Sequence, residues 1–255
     1  MVERIIDLER VAAAHWRGTE EEWLGGWLLR AAEGFTGRAN SAVPLGDPGM
    51  PLDDALATVT GWYRARGLPA MIAVPLPLGS LAPCHLDNHL SERSWLTRPG
   101  PAYVMTAQLP GAGTAFPPLP AGAELRVDAE PDDAWLCTYH YRGQDGLPPV
   151  SREVLMSAPE QAFASIRSAG GQEVLAIGRL SIADGWAGIT AVEVNPGHRR
   201  GGIGTALTLA VCAEAASRAA RNVFLQVETG NTAALALYER CGFRYSHRYH
   251  YRVAP

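Results

Sequence analysis

The sequence predicts an α/β fold of the α+β type, in which helices flank a mixed and mostly antiparallel sheet. Three observations support this prediction. Residues 188–215 follow the pattern of a strand, a glycine-rich turn and a helix. Residues 223–253 continue with a strand, a helix and a final strand. Residues 34–109 contain elements of similar type, length and order, which indicates an internal repeat.

In the first half, apolar periodicity predicts helices over 3–15, 51–66 and 85–94, and strands over 23–32, 71–76 and 102–109. Gly25 and Gly26 are expected to form a bulge within the first of these strands. Five aromatic residues are expected in the core of this half, because large rings bury large apolar areas: Trp16, Trp23, Trp27, Trp62 and Tyr63.

In the second half, the same periodicity predicts helices over 131–141, 151–168, 203–215 and 231–240, and strands over 124–128, 173–181, 186–194, 223–228 and 243–253. A turn at residues 183–185 is expected to join two of the strands as an antiparallel hairpin. The last strand alternates, so His247, Tyr249 and Tyr251 should share one buried face. Its arginine-bearing face is expected to be a solvated edge or a wall of the acceptor pocket.

The segment 188–204, GITAVEVNPGHRRGGIG, carries the clearest chemical signal. Alternating apolar residues predict a strand, and Pro196 ends it because proline has no N–H to donate. The helix that begins near Ile203 leaves its first amides without partners, and the glycines let ligand oxygens approach the backbone. Arg199 and Arg200 add positive charge. The pattern predicts a phosphate or pyrophosphate site.

Two well-known phosphate-binding loops do not fit this segment. A P-loop requires a lysine at the start of the helix, and the chain contains no lysine. The G-x-G-x-x-G spacing of dinucleotide-binding loops is also absent. The spacing of Arg199, Gly202 and Gly204 resembles motif A of the GNAT acetyltransferases, R-x-x-G-x-G. The resemblance implies that this loop binds the pyrophosphate of acetyl-coenzyme A.

A second motif lies between residues 220 and 243. Asn231 stands where a helix N-cap is expected, and Gly242 stands just after the predicted helix end. The pattern N-x-x-A-x-x-L-Y-x-x-x-G-F from Asn231 to Phe243 resembles motif B of the same superfamily. Asn231 is a cap, a ligand or both. Tyr238 is either a core aromatic or a catalytic residue, and its place in the paired motifs favours catalysis.

The GNAT resemblance implies a role for each part of these motifs. Two parallel strands, 187–194 and 223–228, should splay apart where Pro196 breaks the ladder, which leaves backbone groups for the pantetheine arm. The Val194 N–H would polarise the thioester carbonyl, and Tyr238 would act as the general acid toward the departing thiolate. The expected coenzyme-binding residues are Val192, Glu193, Val194, His198, Arg199, Arg200, Gly201, Gly202, Ile203, Gly204 and Asn231.

The acceptor side is less well defined by sequence. By the same resemblance, the segment after the first strand of the second half covers the acceptor. Its candidate contacts are Tyr139, His140, Tyr141 and Arg142, with solvent-facing side chains as the alternative. Some peptide α-amine acetyltransferases carry a glutamate where this chain has Gln226. The general base therefore stays open between Glu193, Glu228 and a water molecule.

Residues 109–123 form an uncharged Pro/Gly/Ala-rich stretch that reads as a linker. It separates an expected N-terminal domain, residues 1–108, from an expected catalytic GNAT domain, residues 124–255. The shared order of elements predicts a tandem GNAT-like fold with a degenerate first half; an unrelated small α/β domain is the alternative. The loop 44–54 of the first half carries three aspartates and should repel a pyrophosphate.

Composition narrows the function classes further. The net charge of −4 offers no field that would attract nucleic acid. No apolar run approaches the roughly 18–20 residues of a membrane span, and the N-terminus lacks a signal-peptide pattern, so a cytoplasmic protein is expected. The resemblance to tandem GNAT proteins implies a bacterial one. The four cysteines are expected to be reduced and buried. His85 and His89 have metal-ligand spacing but no third ligand nearby, so no metal is expected.

Together these features predict an acetyl-CoA-dependent N-acetyltransferase that moves an acetyl group to a primary amine by direct attack. The expected acceptor is a small-molecule amine or a peptide N-terminus, and a homodimer stays open. The alternative is a non-catalytic acetyl-CoA-binding regulatory module.

Overall fold

The structure is a computed structural model that describes residues 2–80, 84–109, 119–141 and 146–255. Most of the predicted linker, and Arg142, lie outside the described residues. The helices are α1 Val2–His15, α2 Leu52–Arg64, α3 His85–Glu92, α4 Asp133–Thr138, α5 Ser151–Leu155, α6 Ile203–Ser217 and α7 Thr232–Arg240. The strands are β1 Glu20–Leu24, β2 Trp27–Ala31, β3 Val43–Pro44, β4 Met71–Pro77, β5 Leu96–Thr97, β6 Ala102–Gln108, β7 Ala123–Asp128, β8 Glu160–Ser168, β9 Val174–Ala183, β10 Trp186–Val194, β11 Asn222–Glu228 and β12 Arg244–Val253.

One large mixed sheet organises the described part of the chain. Its strand order is β4-β12-β6-β11-β10-β9-β8-β7, and β5 pairs with the end of β12. Within this order only β10 and β11 pair in parallel, whereas the other neighbours are antiparallel. A separate small sheet contains β1, β2 and β3. The predicted fold class, a mixed and mostly antiparallel sheet with one parallel pair, is confirmed.

The two halves of the chain interleave within this sheet. Apart from the two-residue strand β5, the first half ends with β4, α3 and β6, and the second half ends with β11, α7 and β12. Strand β12 lies between β4 and β6, and strand β6 lies between β12 and β11. Each half therefore inserts its last strand between the last two strands of the other. The repeat is visible in the topology, while the domain boundaries at 108 and 124 stay a prediction.

This interleaving corrects the expectation for the last strand. Strand β12 is an interior strand and not an edge. His247, Tyr249 and Tyr251 are buried on one face, as the alternation predicts. On the other face, Asp87 of α3 accepts hydrogen bonds from Arg252 Nε at 2.7 Å and contacts His250 Nε2 at 2.9 Å. The arginine-bearing face is therefore covered by a helix and is not a solvated edge.

Two predicted elements are wrong. The predicted helix over 151–168 is the short α5 followed by the nine-residue strand β8. The apolar residues of β8 pack on both sides of the sheet, and a strand buried on both faces lacks the alternation that would identify it. The predicted strand over 23–32 is a hairpin, because Gly25 takes φ of 54° and turns the chain instead of bulging it.

The predicted burial of aromatic residues and thiols holds only in part. Trp16, Trp27 and Tyr63 are buried, whereas the Trp23 side chain is 57% exposed on β1. The four cysteines are free, but Cys212 alone is fully buried and Cys137 is exposed. Strand β1 is the outer strand of the small sheet, which is consistent with the exposure of Trp23.

Candidate active site

The parallel pair β10 and β11 opens at a defined point. The strands pair from Trp186 opposite Asn222 to Ile189 opposite Leu225, and no pairing continues beyond that position. A bulge lies between Thr190 and Glu193 on the β9 side. The expected splay is therefore present, but its cause differs from the prediction. The bulge starts the opening, before Pro196 is reached.

Ala191 sits at the centre of this bulge with φ of 50°. An L-residue in the left-handed region costs roughly 1–2 kcal/mol because its Cβ crowds the following carbonyl. Regular strand geometry would avoid that cost and would continue the ladder. The surrounding packing therefore holds a local strain that keeps the two strands apart.

The bulge also decides where the polar groups of Val194 point. The next residue, Asn195, donates its N–H to the Leu175 carbonyl of β9 at 2.9 Å. Because polar groups alternate sides along an antiparallel strand, the N–H and carbonyl of Val194 face away from β9, toward the opening. The Val194 carbonyl accepts a hydrogen bond from Arg199 Nε at 3.1 Å. The Val194 N–H therefore faces the opening, where the thioester of the coenzyme is expected.

The loop between β10 and α6 begins with a single tight turn. The Asn195 side chain accepts from the Gly197 N–H at 3.1 Å, and the His198 N–H donates to the Asn195 carbonyl at 2.8 Å. The His198 ring contacts Glu173 at 2.9 Å. The His198 amide is therefore used inside the turn, so an anion site in this loop has to rely on the amides that follow it.

Those later amides are unpartnered. From Arg200 to Thr205 no backbone N–H has a hydrogen-bond acceptor among the described residues. Gly202 precedes α6 with φ of 82° and no side-chain cap, and a Cβ built on it would meet open space. The N-terminus of a fifteen-residue helix carries a partial positive charge, and Arg199 and Arg200 are exposed beside it. These residues fit a diphosphate.

Motifs A and B meet at Gly204. A Cβ at this position would lie 2.8 Å from Leu237 Cδ1 of α7 and 3.4 Å from Val194 Cγ2. The glycine therefore allows α7 to pack against the start of α6. Packing, and not ligand approach alone, explains why this position lacks a side chain. The contact places the helix of motif B beside the predicted diphosphate loop.

The two polar residues of motif B have different surroundings. Asn231 is the N-cap of α7, since its side chain accepts from the Ala234 N–H at 3.1 Å, as predicted. Tyr238 is buried in the core cluster under α6 and α7, with its ring 5.8 Å from that of Phe243. Burial raises the pKa of Tyr238 well above its ordinary value. Its hydroxyl is therefore protonated at neutral pH.

Three of the predicted acceptor contacts lie near the bulge of β10, because Tyr139 and Tyr141 share a core cluster with Ala191 and His140 contacts Glu193. Glu193 accepts the His140 N–H at 2.8 Å and contacts His140 Nδ1 at 2.9 Å. Tyr139 is buried, and burial raises its pKa to about 12. The Tyr141 ring lies 5.4 Å from Phe35, a residue of the first half. Glu228, the other carboxylate considered as a base, lies at the end of β11 opposite Ala102.

The structure adds residues that sequence reasoning missed. Arg38 donates to the Gln226 side chain at 3.0 Å, and its guanidinium lies 4.6 Å from the centre of the Trp16 ring. Arg179 of β9 lies 5.2 Å from the same ring and is fully buried. A signal for Arg179 was present, because one arginine interrupts the otherwise apolar run VLAIGRLSIA. Nothing in the sequence marked Arg38.

Other kinds of site find no support in the described residues. No group of three or more histidine, cysteine, aspartate or glutamate side chains is placed to hold a metal ion there. No helix in the same described ranges combines the length and apolarity of a membrane span.

Known proteins resemble this chain over nearly its whole length. It is 32% identical to the "Probable histone acetyltransferase Rv0428c" of Mycobacterium tuberculosis, over 97% of this chain and 72% of that protein. It is 27% identical to the "Uncharacterized N-acetyltransferase YobR" of Bacillus subtilis, over 96% and 97%. The solved GCN5-related N-acetyltransferase of Kribbella flavida superposes with a TM-score of 0.70 at 20% identity, over 99% and 95%, which shows a shared fold.

A family model supports the same assignment. The model described as "Probable histone acetyltransferase Rv0428c C-terminal" matches residues 3–252, so the match includes both halves and both motifs. The chain is therefore an acyltransferase that belongs to the Rv0428c C-terminal family of GNAT-superfamily N-acetyltransferases.

Proposed function

We propose that this protein transfers the acetyl group of acetyl-coenzyme A to a primary amine by direct attack, without an acyl-enzyme. The observation that carries the proposal is the opening between β10 and β11 beyond Ile189 and Leu225. Unpaired backbone groups of this opening lie at the same end of the sheet as the uncapped amides that begin α6. A ligand with a diphosphate and an amide-rich arm matches both features.

Each part of the chain then has a task. The amides from Arg200 to Thr205 bind the diphosphate, and the backbone of Val192 and Val194 orients the arm and the thioester. The Val194 N–H stabilises the negative charge that develops on the thioester oxygen. Acetyl-coenzyme A supplies the acetyl group in activated form. A C–N bond forms to the amine, the C–S bond breaks, and the sulfur takes up a proton.

Tyr238 is the proposed source of that proton. A tyrosine with a strongly raised pKa is a weak acid toward a thiolate in water. The same burial also destabilises a thiolate, as it does in the neighbouring core, where burial raises the pKa of Cys212 to about 12. The two groups are therefore matched when both are desolvated, which is the condition for efficient proton transfer.

The base that removes the proton from the amine stays open between Glu193, Glu228 and water. Glu193 has the better geometry for such a role, because its carboxylate fixes one ring nitrogen of His140 on the acceptor side. An amine of the N-terminal type, with a pKa near 8, is about 1–1.5 kcal/mol from its neutral form at pH 7 and has little need of a base. A lysine-like amine, with a pKa near 10.4, costs about 4–5 kcal/mol.

The acceptor can be a small molecule or a protein amine. The name of the Mycobacterium relative points to a protein amine, while the buried Tyr139 and the half-buried Tyr141 favour a small molecule. The non-catalytic alternative, a module that binds acetyl-CoA without acetylating anything, fits the diphosphate loop equally well. It leaves the buried, protonated Tyr238 and the fixed His140–Glu193 pair without a task.

The test is release of free thiol from acetyl-CoA across a panel of amines, with coenzyme affinity measured by calorimetry. Tyr238→Phe is expected to lower turnover at least tenfold with an unchanged coenzyme Kd, because only the proton donor is lost. Tyr245→Phe is the control. It removes a hydroxyl that forms a hydrogen bond with Glu239, a residue of α7, the helix that also carries Tyr238. Unchanged turnover in Tyr238→Phe would remove the proposed acid. Coenzyme binding with no thiol release for any amine would favour the non-catalytic module.

A further inference from the structure

We infer that the acceptor is an amine that also carries a carboxylate, and that Arg38 from the first half and Arg179 from the second half bind this carboxylate. The inference rests on the proposed function, because it defines the acceptor for the same site. It is carried by two guanidinium groups that both lie over the Trp16 ring and that have no carboxylate partner among the described residues.

Arg38 lies at the edge of the opening. Its Nη1 donates to Gln226 Oε1, and Gln226 follows Leu225, the last residue of β11 that pairs with β10. Successive side chains of a strand point to opposite faces, and Leu225 packs in the cluster under α6. Gln226 and the Arg38 guanidinium therefore lie on the opposite face, where the acceptor must approach.

Arg179 reaches the same place from β9. It is paired with Thr190, the residue that precedes the bulge. Its Nε donates to the Leu155 carbonyl at 2.6 Å, and its Nη1 donates to the His15 carbonyl at 3.1 Å. Its Nη2 is buried and has no hydrogen-bond partner. Buried hydrogen-bond donors are rarely left without an acceptor, so an unpartnered guanidinium nitrogen indicates a missing acceptor atom.

The charges of this region are unbalanced. Neither Arg38 nor Arg179 forms an ion pair with a carboxylate of the described residues. Glu9 lines the same cavity as Arg38, but its carboxylate is bound to His247 at 2.7 Å. Glu193 is bound to His140. Burial and the nearby Arg38 charge lower the pKa of Arg179 to about 9, which shows how poorly its charge is compensated.

The shape of the site favours a small planar anion. Both guanidinium groups lie over the Trp16 ring, with Cζ atoms 4.6 and 5.2 Å from its centre, so two flat donor groups share one aromatic neighbour. The cavity beside Arg38 is lined also by Trp16 and Gln226 but not by Arg179, and it has about 20 Å³, room for about one water-sized group. A carboxylate matches this volume better than a phosphate, and forked donors bind it with two hydrogen bonds.

The experiment compares amino acids with their own amides, which differ only in the carboxylate. Glycine, alanine, leucine and phenylalanine, each with its amide, are titrated by calorimetry into the protein saturated with coenzyme A, which permits no turnover. β-Alanine and phosphoethanolamine are added to separate carboxylate from phosphate. We expect at least one amino acid to bind tenfold or more tightly than its amide, as a charge-assisted hydrogen bond allows.

Arg38→Gln should reduce this acid-to-amide ratio to about threefold or less. The matched control is Arg66→Gln, because Arg66 also lies over a tryptophan, Trp62 at 3.6 Å, but its charge is paired with Glu20 at 2.9 Å. That variant should keep the ratio. Arg179→Gln should act like Arg38→Gln, and Arg38→Gln alone decides the question if the buried substitution prevents folding.

The outcomes separate this inference from the proposed function. Equal binding of acids and amides, or no binding of any acid, overturns the inference even if other amines are acetylated. Equal loss of acid and amide binding in Arg38→Gln also overturns it, because a merely structural role of Arg38 predicts that result. Tighter binding of phosphoethanolamine than of β-alanine overturns it as well, because the site would then prefer a phosphate. An acid preference that persists without any thiol release supports the inference and contradicts the proposed transfer reaction.

Discussion

His15 offers a quantitative test of the buried network that supports Arg179. Its Nδ1 lies 2.9 Å from Ser181 Oγ, and this hydroxyl donates to the Gly188 carbonyl at 3.2 Å. The Nδ1 must therefore carry the proton, and the buried Nε2 has no partner. Burial and then the Arg179 charge lower the pKa of His15 to about 4, from an ordinary value of 6.5. The folded protein requires neutral His15.

The pH dependence follows from this shift. Well above pH 6.5, His15 is neutral in both the folded and the unfolded protein, so its titration does not change the free energy of unfolding. Between pH 6.5 and 4 the unfolded chain binds a proton that the folded protein does not, so the stability falls as the pH falls. The full shift corresponds to about 3 kcal/mol, and about 2 kcal/mol of it should be lost by pH 5.

The assay is urea denaturation of the wild type and of His15→Asn at pH 7.5, 6 and 5. Asparagine keeps a donor near the position of Nδ1, so it can still bond Ser181, but it cannot titrate. All other groups titrate in both proteins and cancel in the difference between them. His15→Asn should be less stable at pH 7.5, because it loses the ring contact with Phe224 at 5.0 Å, and this deficit should shrink by about 2 kcal/mol at pH 5. A deficit that stays constant within about 0.5 kcal/mol would refute the reasoning.

Three further predictions concern the frame of the site. Ala191→Gly should keep both the free energy of unfolding and the coenzyme affinity. Ala191→Val should lower the free energy of unfolding by more than about 1 kcal/mol and weaken coenzyme binding, because a β-branched residue resists φ of 50°. Thermal unfolding measures the first quantity and calorimetry the second. Gly188→Ala should cost about 1–3 kcal/mol in urea denaturation, since its Cβ would lie 2.8 Å from Ser181 Oγ and 2.9 Å from His15 Nδ1. Removal of residues 1–108 should give an aggregated product by size-exclusion chromatography, since it leaves the β11 and β12 edges without β6.

Local chemistry made the backbone geometry of the proposed coenzyme side predictable from the sequence. Strand, turn and helix follow one another in the chain there, and Gly202, Gly204 and Asn231 each have a role that their residue type restricts. Asn231 caps α7, and Gly202 takes a positive φ. The opening itself was expected for the wrong reason. The φ of Ala191 is set by packing around the bulge, and alanine gives no sign of it in the sequence.

The acceptor side was not predictable for a different reason. Arg38, Trp16 and Gln226 lie far apart in the chain, and only the tertiary structure brings them together. The interleaving of β6 and β12 was equally hidden, because a strand pattern records which face is buried and not which neighbour it pairs with. The sequence indicated a repeat but not that its halves exchange strands.

That exchange gives a physical reason for a first half that lacks the diphosphate motif. Strand β11 forms one wall of the opening, and its other edge pairs with β6 along the whole strand, from Asn222 to Glu228. Without β6 this wall would be an edge strand that is free to move, and the opening would lose its fixed width. The same half supplies the loop that carries Arg38, which reaches back to Gln226 on that wall. A half-repeat under these constraints has no need of a diphosphate loop of its own. Changes in β6 or at Arg38 are expected to alter the proposed site of the other half, so we propose that the interleaved pair is the catalytic unit.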